Sequence, residues 1–294
     1  MKSGFVAILG RPNVGKSTIL NGLINHKVSI VTDKSQTTRN NIIGIYNSPD
    51  TQIVFLDTPG IHKPTQQLGK EMNNMAYSAA HDVDVAVLVV DASKPFGTGD
   101  SYIIEHLDIH NCPLIIVFNK IDLARLDKAE ALKKIYRDYF PKAVFVDTVA
   151  KERFNLDKLI SEVTAFLPEG PAYYPVEMVT DKDEIFQIKE IIREKVLKAL
   201  REEVPHSVAI YVDNIEWESK PIKIYASIIV EREGQKGIVI GAGGKRIKEI
   251  GTKARRDIEK LLNQHAYLEL EVKVNEDWRN EPAALKEYGY KYEK

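Results

Sequence analysis

The chain has 294 residues, and its 41 lysines and arginines against 42 aspartates and glutamates leave a formal net charge of −1 at pH 7. This length predicts two domains, and the total charge alone predicts no binding to nucleic acid, so the distribution of charge matters more. The sequence lacks a run of about 18 apolar residues, which excludes an integral membrane protein, and the single Cys112 excludes an intramolecular disulfide or a cysteine-based zinc cluster. With an N-terminus that lacks a signal-peptide pattern, these features predict a cytoplasmic protein.

Six short apolar runs alternate with helical patterns through the first half of the chain. Strands buried on both faces of a sheet have this appearance, and the alternation predicts an α/β domain with a doubly wound, mostly parallel sheet. Ligands bind at the carboxyl ends of the strands in such sheets, so the loops that follow them are candidate sites. The runs are Phe5–Leu9, Asn41–Tyr46, Gln52–Leu56, Val85–Val90, Leu114–Phe118 and Val144–Val146, with helices expected over Leu68–Ala80 and Lys128–Tyr139.

The segment Leu167–Pro175 contains three prolines and a glycine, which cannot continue a helix or a central strand. We therefore expect one domain over residues 1–168, a linker over 169–180 and a second, α+β domain over 181–294. The expected elements of the second domain are a helix over Asp183–Glu203 with Ile185, Ile188, Ile192, Val196 and Leu200 on one face, strands over Val208–Val212, Ile222–Glu231 and Tyr267–Val274, and a short β run that ends at Ile240 before another helix.

A glycine-rich loop follows the first strand. Residues Gly10–Thr18 match the pattern G-x-x-x-x-G-K-[ST] between a predicted strand and a predicted helix. Glycines let successive backbone N–H groups curl around a polyphosphate, and the dipole of the helix favours the anion. Lys16 then supplies positive charge to the β- and γ-phosphates, and the Ser17 hydroxyl is placed to ligate Mg²⁺. The expected binding residues are Asn13, Val14, Gly15, Lys16, Ser17 and Thr18.

The third strand ends in a second motif, Asp57-Thr58-Pro59-Gly60. The Asp57 carboxylate can hold Mg²⁺ through water. The Gly60 N–H can approach a γ-phosphate because no Cβ atom stands in the way. We expect all four residues of this motif to contribute to the nucleotide site.

The fifth strand ends in a third motif, Asn119-Lys120-Ile121-Asp122. The Asp122 carboxylate can accept hydrogen bonds from N1–H and N2–H of guanine. Adenine has no matching pair of donors and would leave the carboxylate unpaired, at a cost of about 1–3 kcal/mol or more. The motif therefore predicts GTP rather than ATP, with Lys120 along the purine ring and Asn119 tying this loop to the glycine-rich loop.

These three motifs, in this order, resemble the TRAFAC class of P-loop GTPases. The resemblance implies that Val31–Arg39 is a switch loop, ordered when a threonine ligates Mg²⁺ near the γ-phosphate, with Thr38 as the candidate and Thr37 as the runner-up. It also implies a loop after the sixth strand that touches the base. That loop consists of Val149, Ala150 and Lys151, and Val149 stands where the class usually has a serine.

Ile61 stands where Ras-like enzymes place the glutamine that orients the attacking water. Its side chain can neither donate nor accept a hydrogen bond, so we expect slow intrinsic hydrolysis or the use of another group. GTPases similar to this chain use an asparagine at the position of Asn13 to help hold K⁺, which makes K⁺ a second cation by hypothesis. The residues expected to act in hydrolysis are Lys16, Asn13, Thr38 and Gly60, and those expected to hold Mg²⁺ are Ser17, Thr38 and Asp57.

Basic residues cluster in the second half, where Lys236–Arg256 holds seven lysines and arginines against one acid, Glu249. Within it, Val239–Ile247 resembles the V-I-G-x-x-G-x-x-I signature of KH domains, whose glycine loop clamps about four nucleotides of a single strand. Ala242 and Gly243 lie where polar or basic residues are frequent, so phosphate affinity would depend more on the lysines and arginines that follow. The expected RNA-binding residues are Ile240, Gly241, Ala242, Gly243, Gly244, Lys245, Arg246, Ile247 and Lys248.

A GTPase domain followed by a KH domain of type II, with the order helix–strand–strand–helix–strand, resembles the Era family of bacterial GTPases over nearly the whole chain. The segments that match include the switch Gln36–Arg39, the linker Leu167–Pro171 and the helix Glu190–Lys195. The resemblance implies a GTP-hydrolysing ribosome assembly factor that binds the 3′ end of small-subunit ribosomal RNA and the 30S subunit, with nucleotide state gating that binding. It also implies a cytoplasmic location, with peripheral association on the inner face of the cell membrane. No DNA partner is expected.

Two alternatives stay open. In the first, the chain is a constitutive RNA-binding scaffold in which GTP is structural and hydrolysis is incidental, a hypothesis that Ile61 supports. In the second, weaker alternative it is a tRNA-modifying GTPase of the same class. Those enzymes share the asparagine in the glycine-rich loop, but the KH-like half of this chain disfavours them.

Overall fold

The computed structural model describes residues 1–34, 36–81, 83–107, 112–200 and 204–290. None of the helices in these ranges combines the length and the apolar character needed to cross a membrane. The first half contains strands β1 (Lys2–Gly10), β2 (Ile42–Ser48), β3 (Thr51–Asp57), β4 (Val85–Asp91), β5 (Leu114–Asn119) and β6 (Val144–Thr148), and helices α1 (Lys16–Ile24), α2 (Gln67–His81), α3 (Thr98–His106), α4 (Leu126–Tyr139) and α5 (Leu156–Phe166).

The six strands form one sheet in the order β2-β3-β1-β4-β5-β6. Every neighbouring pair is parallel except β2 with β3, which confirms the predicted doubly wound, mostly parallel sheet. Helices α1 and α5 cover one face of the sheet, and α2, α3 and α4 cover the other. The strand order reverses at β1, because β3 and β4 lie on its two sides, and the loop after β1 therefore opens at the crevice where such sheets bind ligands.

The second half forms a separate sheet in the order β7-β8-β9, antiparallel between β7 and β8 and parallel between β8 and β9. Helices α6 and α8 pack on this sheet through a shared apolar core. The elements are α6 (Glu184–Ala199), β7 (Ala209–Glu216), β8 (Ile222–Val230), α7 (Glu233–Ile240), α8 (Lys245–Leu262), β9 (Ala266–Val274) and α9 (Pro282–Glu287).

Two expectations for the second half were wrong. The run that ends at Ile240 is the helix α7 and not a β run, so the described order is α-β-β-α-α-β. Gln235 caps this helix through hydrogen bonds from two backbone N–H groups, and only Val239 of its apolar residues is buried. Helix α6 ends at Ala199, because Leu200 already has an extended backbone, and so it is shorter than the expected Asp183–Glu203; Glu203 itself lies outside the described residues. Ile185, in the first turn of this helix, is 45% exposed.

A third apolar cluster joins the two halves. Leu68 and Met72 of α2 pack with Trp278 and Tyr290 of the C-terminal segment. The backbone N–H of Leu68 also donates to the carbonyl of Arg279 at 2.9 Å. The helix that follows the Asp57–Gly60 motif thus contacts the second domain directly.

The expected linker is an ordered strap along the first domain. The N–H groups of Tyr173 and Tyr174 donate to Oε1 of Gln52 at 2.6 and 3.0 Å. Farther along, the N–H of Ile45 on the edge strand β2 donates to the carbonyl of Val179 at 3.0 Å. These bonds fix the strap to β2 and β3.

Candidate functional site

The loop after β1 curls tightly before α1 begins. Gly10 has φ +144°, Asn13 +64° and Gly15 +104°, a backbone shape that turns successive N–H groups inward. A Cβ atom on Gly15 would lie 2.3 Å from Nδ2 of Asn119, so only glycine fits where this loop passes the end of β5. The loop and the helix N-terminus together form a concave, anion-attracting surface.

Lys16 is buried inside this loop, with 6% of its surface exposed. Its ammonium group donates to the carbonyls of Gly10 and Arg11 at 3.1 and 2.9 Å. Burial lowers the pKa of Lys16 to about 8, although the nearby Asp57 carboxylate raises it. A polyphosphate at the loop would favour the charged form, because it brings opposite charge to a poorly solvated ammonium group.

Oxygen atoms from four segments meet beside Lys16. The Ser17 hydroxyl donates to Oδ2 of Asp57 at 2.6 Å and lies 2.9 Å from Oγ1 of Thr38. Ser29 also donates to Oδ2 of Asp57, at 2.8 Å. Burial raises the pKa of Asp57, while Lys16 and these hydroxyl groups lower it.

This cluster fits Mg²⁺ on the chemistry of its donors. Oδ1 of Asp57 is buried and has no hydrogen-bond partner among the described residues, so a metal-bound water would satisfy it. Two hydroxyl groups and one carboxylate are hard oxygen donors, and Mg²⁺ in proteins keeps several waters beside one or two such ligands. No group of three or more His, Cys, Asp or Glu side chains suited to a metal occurs within the described ranges. The structure brings the expected ligands Ser17, Thr38 and Asp57 together, and it adds Ser29, which the sequence analysis missed.

The motif after β3 divides between the pocket and the core. Gly60 packs against the glycine-rich loop, since a Cβ atom on it would lie 2.7 Å from the backbone of Pro12. Thr58 is fully buried, and its hydroxyl donates to the carbonyl of Ile8 at 2.8 Å. Ile61 is also fully buried, in the core beneath α2. Neither of these two side chains lines the pocket.

The residue after Ile61 makes polar contacts that the sequence analysis missed. Nδ1 of His62 lies 2.9 Å from the carbonyl of Gly60, and Nε2 lies 3.2 Å from the side-chain nitrogen of Gln36. These contacts link the loop after β3 to the Val31–Arg39 segment. A histidine in a loop carries no periodic signal that would predict this position.

Asn119 joins the glycine-rich loop to the loop after β6. Its side-chain nitrogen donates to the carbonyl of Val14 at 2.9 Å, and its oxygen accepts from the N–H of Ala150 at 3.0 Å. Lys120 donates to the carbonyl of Asn13 at 2.8 Å and pairs with Asp91 at 2.6 Å. Asn119 therefore has the tying geometry that the motif predicts.

A pocket of 330 Å³ opens among these loops. Its walls include the expected Asn13, Gly15, Lys16, Ser17, Thr18, Thr37, Thr38, Gly60, Lys120 and Lys151. Other expected residues do not line the pocket. The side chain of Val14 lies in the core, and Pro59, Val149 and Ala150 are buried. Asp122 is exposed, in the short 3₁₀ turn Ile121–Leu123.

A second candidate surface lies in the C-terminal domain, where the glycine loop connects α7 to α8. Gly241, Gly243 and Gly244 have φ values of +72°, +57° and +74°. No atom lies within 4 Å of a Cβ placed on Gly243 or Gly244, so this backbone can be approached closely by a ligand. Arg246 donates to the carbonyl of Ile238 and so braces the loop.

A groove of 340 Å³ runs beside this loop between α8 and β9. Of the expected residues, Ile247 and Lys248 line it, whereas Ile240 packs against the domain core and does not. The sequence analysis did not name the rest of the lining: three of those residues lie farther along α8, and the other four lie on β9, which is distant in sequence. Those residues are Gly251, Thr252, Arg255, Tyr267, Leu268, Glu269 and Leu270.

Comparison with known proteins identifies the families of both halves of the chain. A family described as "50S ribosome-binding GTPase" matches residues 5–120, and a family described as "KH domain" matches residues 203–279. A solved structure of Era in complex with MgGDPNP and nucleotides 1506–1542 of 16S ribosomal RNA is 39% identical to this chain. The match covers 99% of this chain and 100% of that one, with a TM-score of 0.94.

The chain belongs to the Era family of GTPases. A solved Era variant from Aquifex aeolicus, bound to GDP and aluminium fluoride, is also 39% identical, over 99% of this chain and 100% of that one, with a TM-score of 0.93. This membership accounts for the two sites in one chain, a glycine-rich phosphate loop in the first domain and a KH glycine loop in the second. The type II KH assignment is consistent with the observed α-β-β-α-α-β order.

Proposed function

We propose that the protein binds and hydrolyses GTP, binds single-stranded RNA at the 3′ end of small-subunit ribosomal RNA through its KH domain, and acts in assembly of the 30S subunit, with nucleotide state gating RNA binding. The observation that carries the proposal is the position of the Val31–Arg39 segment. Thr38 lies 2.9 Å from Ser17 of the glycine-rich loop, and Arg39 donates to the carbonyl of Val208 in the KH domain at 2.6 Å. A segment that contacts both the nucleotide cluster and the KH domain can transmit the nucleotide state to the domain that would bind RNA.

Hydrolysis would proceed by in-line attack of water on the γ-phosphorus, with cleavage of the bond to the bridging oxygen of GDP. Lys16 and the backbone N–H groups of the glycine-rich loop would stabilise charge on the phosphates, and Gly60 would place an N–H at the γ-phosphate. Bound Mg²⁺, held by Ser17, Thr38 and the Asp57 carboxylate, would neutralise phosphate charge. Asp122 would select guanine through its N1–H and N2–H donors.

The Ile61 side chain cannot orient the attacking water, because it has no polar atom and is buried in the core away from the pocket. Asn13 donates through Nδ2 to the carbonyl of Asp33 at 3.0 Å, so its side-chain oxygen is the atom available to a monovalent cation. We propose K⁺ as that cation. Turnover should be faster in KCl than in NaCl, and Asn13→Ala should remove the difference. Equal rates in the two salts would refute the K⁺ hypothesis without affecting the rest.

The RNA would lie in the groove between α8 and β9, with its backbone at the glycine loop and at Lys245, Arg246 and Lys248. Ile247 and Tyr267 offer apolar surface to the bases, and Tyr267 is 45% exposed. Bases stacked on an aromatic ring in this way contribute affinity with little sequence preference. The same basic face suits an anionic membrane surface, which is the basis for proposing peripheral membrane association. Competition between the RNA and anionic vesicles would support a shared surface, and simultaneous binding would refute it.

The deciding experiment measures the affinity of an oligonucleotide with the sequence of a small-subunit rRNA 3′ end, first with a GTP analogue and then with GDP, at fixed salt. A tenfold preference for one state would correspond to about 1.4 kcal/mol of coupling, and RNA must then favour that nucleotide state equally. Equal affinities would refute gating and favour the scaffold alternative. GTP turnover with and without RNA separates the two further, because only the gated enzyme should change its rate.

A further inference from the structure

Thr38 occupies the expected Mg²⁺ cluster, yet the segment that carries it is neither helix nor strand. Its hydroxyl lies 2.9 Å from that of Ser17 and also interacts with the Asp57 carboxylate, but these side-chain contacts do not fix the backbone on either side. The two flanking residues, Thr37 and Arg39, are bonded to the KH domain. The position of Thr38 therefore depends on a domain that contributes no atom to the cluster itself.

Arg193 of α6 holds the upstream side. It is fully buried, and Nε and Nη2 donate to the Glu190 carboxylate at 2.7 and 2.5 Å. Nη2 also donates to the backbone carbonyl of Thr37. Because Glu190 fixes the plane of the guanidinium group, a donor is always presented to this carbonyl.

Arg39 holds the downstream side. It is 1% exposed, and its guanidinium group donates to the carbonyls of Val208 and His206 at 2.6 and 3.0 Å. The same group lies 5.7 Å from the ring centroid of Trp278 and 5.4 Å from that of Tyr290. Cation–π contacts of this kind gain strength when they are desolvated, as here.

We propose that Arg193 and Arg39 are positioning residues that hold Thr38 where it can ligate Mg²⁺ beside a γ-phosphate, so that the KH domain completes the GTP-specific part of the nucleotide site. The inference rests on the proposed function and names the residues through which gating operates. GDP has no γ-phosphate, and its binding does not need Thr38 in this position. Loss of either arginine should therefore weaken binding of a GTP analogue and leave GDP binding intact.

The chain provides a matched control. Lys27 of the first domain forms an ion pair at 2.7 Å with Glu194, the next residue after Arg193 on the same helix. This pair also bridges the two domains, but it does not touch residues 36–39. Lys27→Ala therefore removes an interdomain contact of the same helix without releasing Thr37.

The test measures dissociation constants of a non-hydrolysable GTP analogue and of GDP at saturating Mg²⁺, for the full chain and for Arg193→Ala, Arg39→Ala and Lys27→Ala. We expect each arginine variant to lose about tenfold in affinity for the analogue, the loss typical of one buried hydrogen bond, with GDP affinity unchanged. Lys27→Ala should keep the wild-type ratio of the two affinities. The Mg²⁺ concentration needed for half-maximal analogue binding should rise in the arginine variants alone.

Arg193→Lys provides a second variant should the alanine variant unfold. It keeps a positive charge beside Glu190, but one ammonium group cannot reproduce the planar fork that also reaches Thr37. We expect a smaller loss of analogue affinity with a melting temperature near that of the wild type. Equal losses for the analogue and for GDP, or an unchanged ratio in both arginine variants, would overturn the positioning role. Failure of the wild-type chain to bind the analogue would instead overturn the proposed function.

Discussion

The nucleotide pocket and the RNA groove are built in opposite ways. In the pocket, Lys16, Thr38 and Asp57 are buried and hydrogen-bonded to other residues of the first domain. At the RNA groove, Lys248 is exposed, as is Lys245 beside it, and no atom lies close to the open side of Gly243 or Gly244 in the glycine loop. The first site is thus enclosed and closely bonded, whereas the second offers exposed charge and open access to a flexible strand. Substitutions in the pocket should be costly and insensitive to salt, and those in the groove should be mild and salt-dependent.

The largest effect should follow from Lys16→Ala. The change removes a buried ammonium group that would donate hydrogen bonds to several phosphate oxygens. Each hydrogen bond between charged groups contributes about 1.5–3 kcal/mol to binding. We expect GTP and GDP affinity to fall by about 10²-fold or more in calorimetric titration, with RNA affinity in the absence of nucleotide unchanged. Lys248→Ala is the matched control and should leave nucleotide affinity intact. A loss below about tenfold for Lys16→Ala would contradict the contrast between the two regions.

Asp122→Ala should rank next. It removes the acceptor for two guanine donors, so we expect GTP affinity to fall by about 10²-fold while the weak affinity for ATP stays the same. Asp127→Ala is the control, because this nearby carboxylate is exposed and pairs only with the exposed Arg125 among described residues. Competition titrations with both nucleotides measure the effect, and parallel losses for GTP and ATP would show that Asp122 does not read the base.

Lys248→Ala should have a moderate effect on RNA alone. Removal of one phosphate contact should weaken binding several-fold and reduce the slope of log affinity against log salt by about 0.7, the value for single strands. Lys260→Ala, on the same helix but outside the groove, should change the slope less. Fluorescence titrations at several salt concentrations give the slope, and identical slopes for the two variants would place the RNA elsewhere on α8.

The smallest effect concerns Glu194, at the interface between the GTPase domain and the KH domain. Burial raises the pKa of Glu194, but hydrogen bonds from Lys27, Lys198 and Lys195 outweigh it and lower the pKa to about 2. A carboxyl group with a depressed folded-state pKa stabilises the protein above its unfolded pKa, and this contribution disappears as the pH falls from about 4.5 towards 2. Glu194→Gln should therefore lower the melting temperature by about 2–4 °C near pH 7, as expected for a loss of about 1 kcal/mol. At pH 2 the variant and the wild type should melt together, and a difference that persists there would contradict the ion-pair origin.

The sequence predicted the site best where the functional residues are consecutive in the chain. The glycine-rich loop, Asp57–Gly60 and Asn119–Asp122 each lie on one loop at a strand end, so strand order alone predicts that they meet. Contacts that join distant segments left no such signal. Arg193 reads as an ordinary charge on an amphipathic helix, and only its burial against Thr37 shows what it does.

Helix α7 shows a different limit. Ile238, Val239 and Ile240 have high β propensity, yet Gln235 caps a helix and the left-handed φ of Gly241 ends it. In so short a run, the capping hydrogen bonds and the glycine that ends the helix outweigh the β propensity of its apolar residues. The RNA groove was also predicted only in part. The basic cluster indicated its α8 side, but Tyr267 on β9 lies far away in sequence and joins the groove only in the folded chain.

The strap along β2 and β3 limits the distance by which the two domains can separate. With Val179 bonded to the edge strand and α6 capped at Asp183, residues 180–183 form a short tether between the strap and the first helix of the KH domain. At about 3.4 Å per extended residue, that tether reaches roughly 14 Å. If the packed contacts between the two domains were released, the KH domain would therefore stay within this distance of its attachment beside β2 while the strap stays bound. The same strap shields the outer rim of the sheet, where an uncovered strand would invite pairing with another chain.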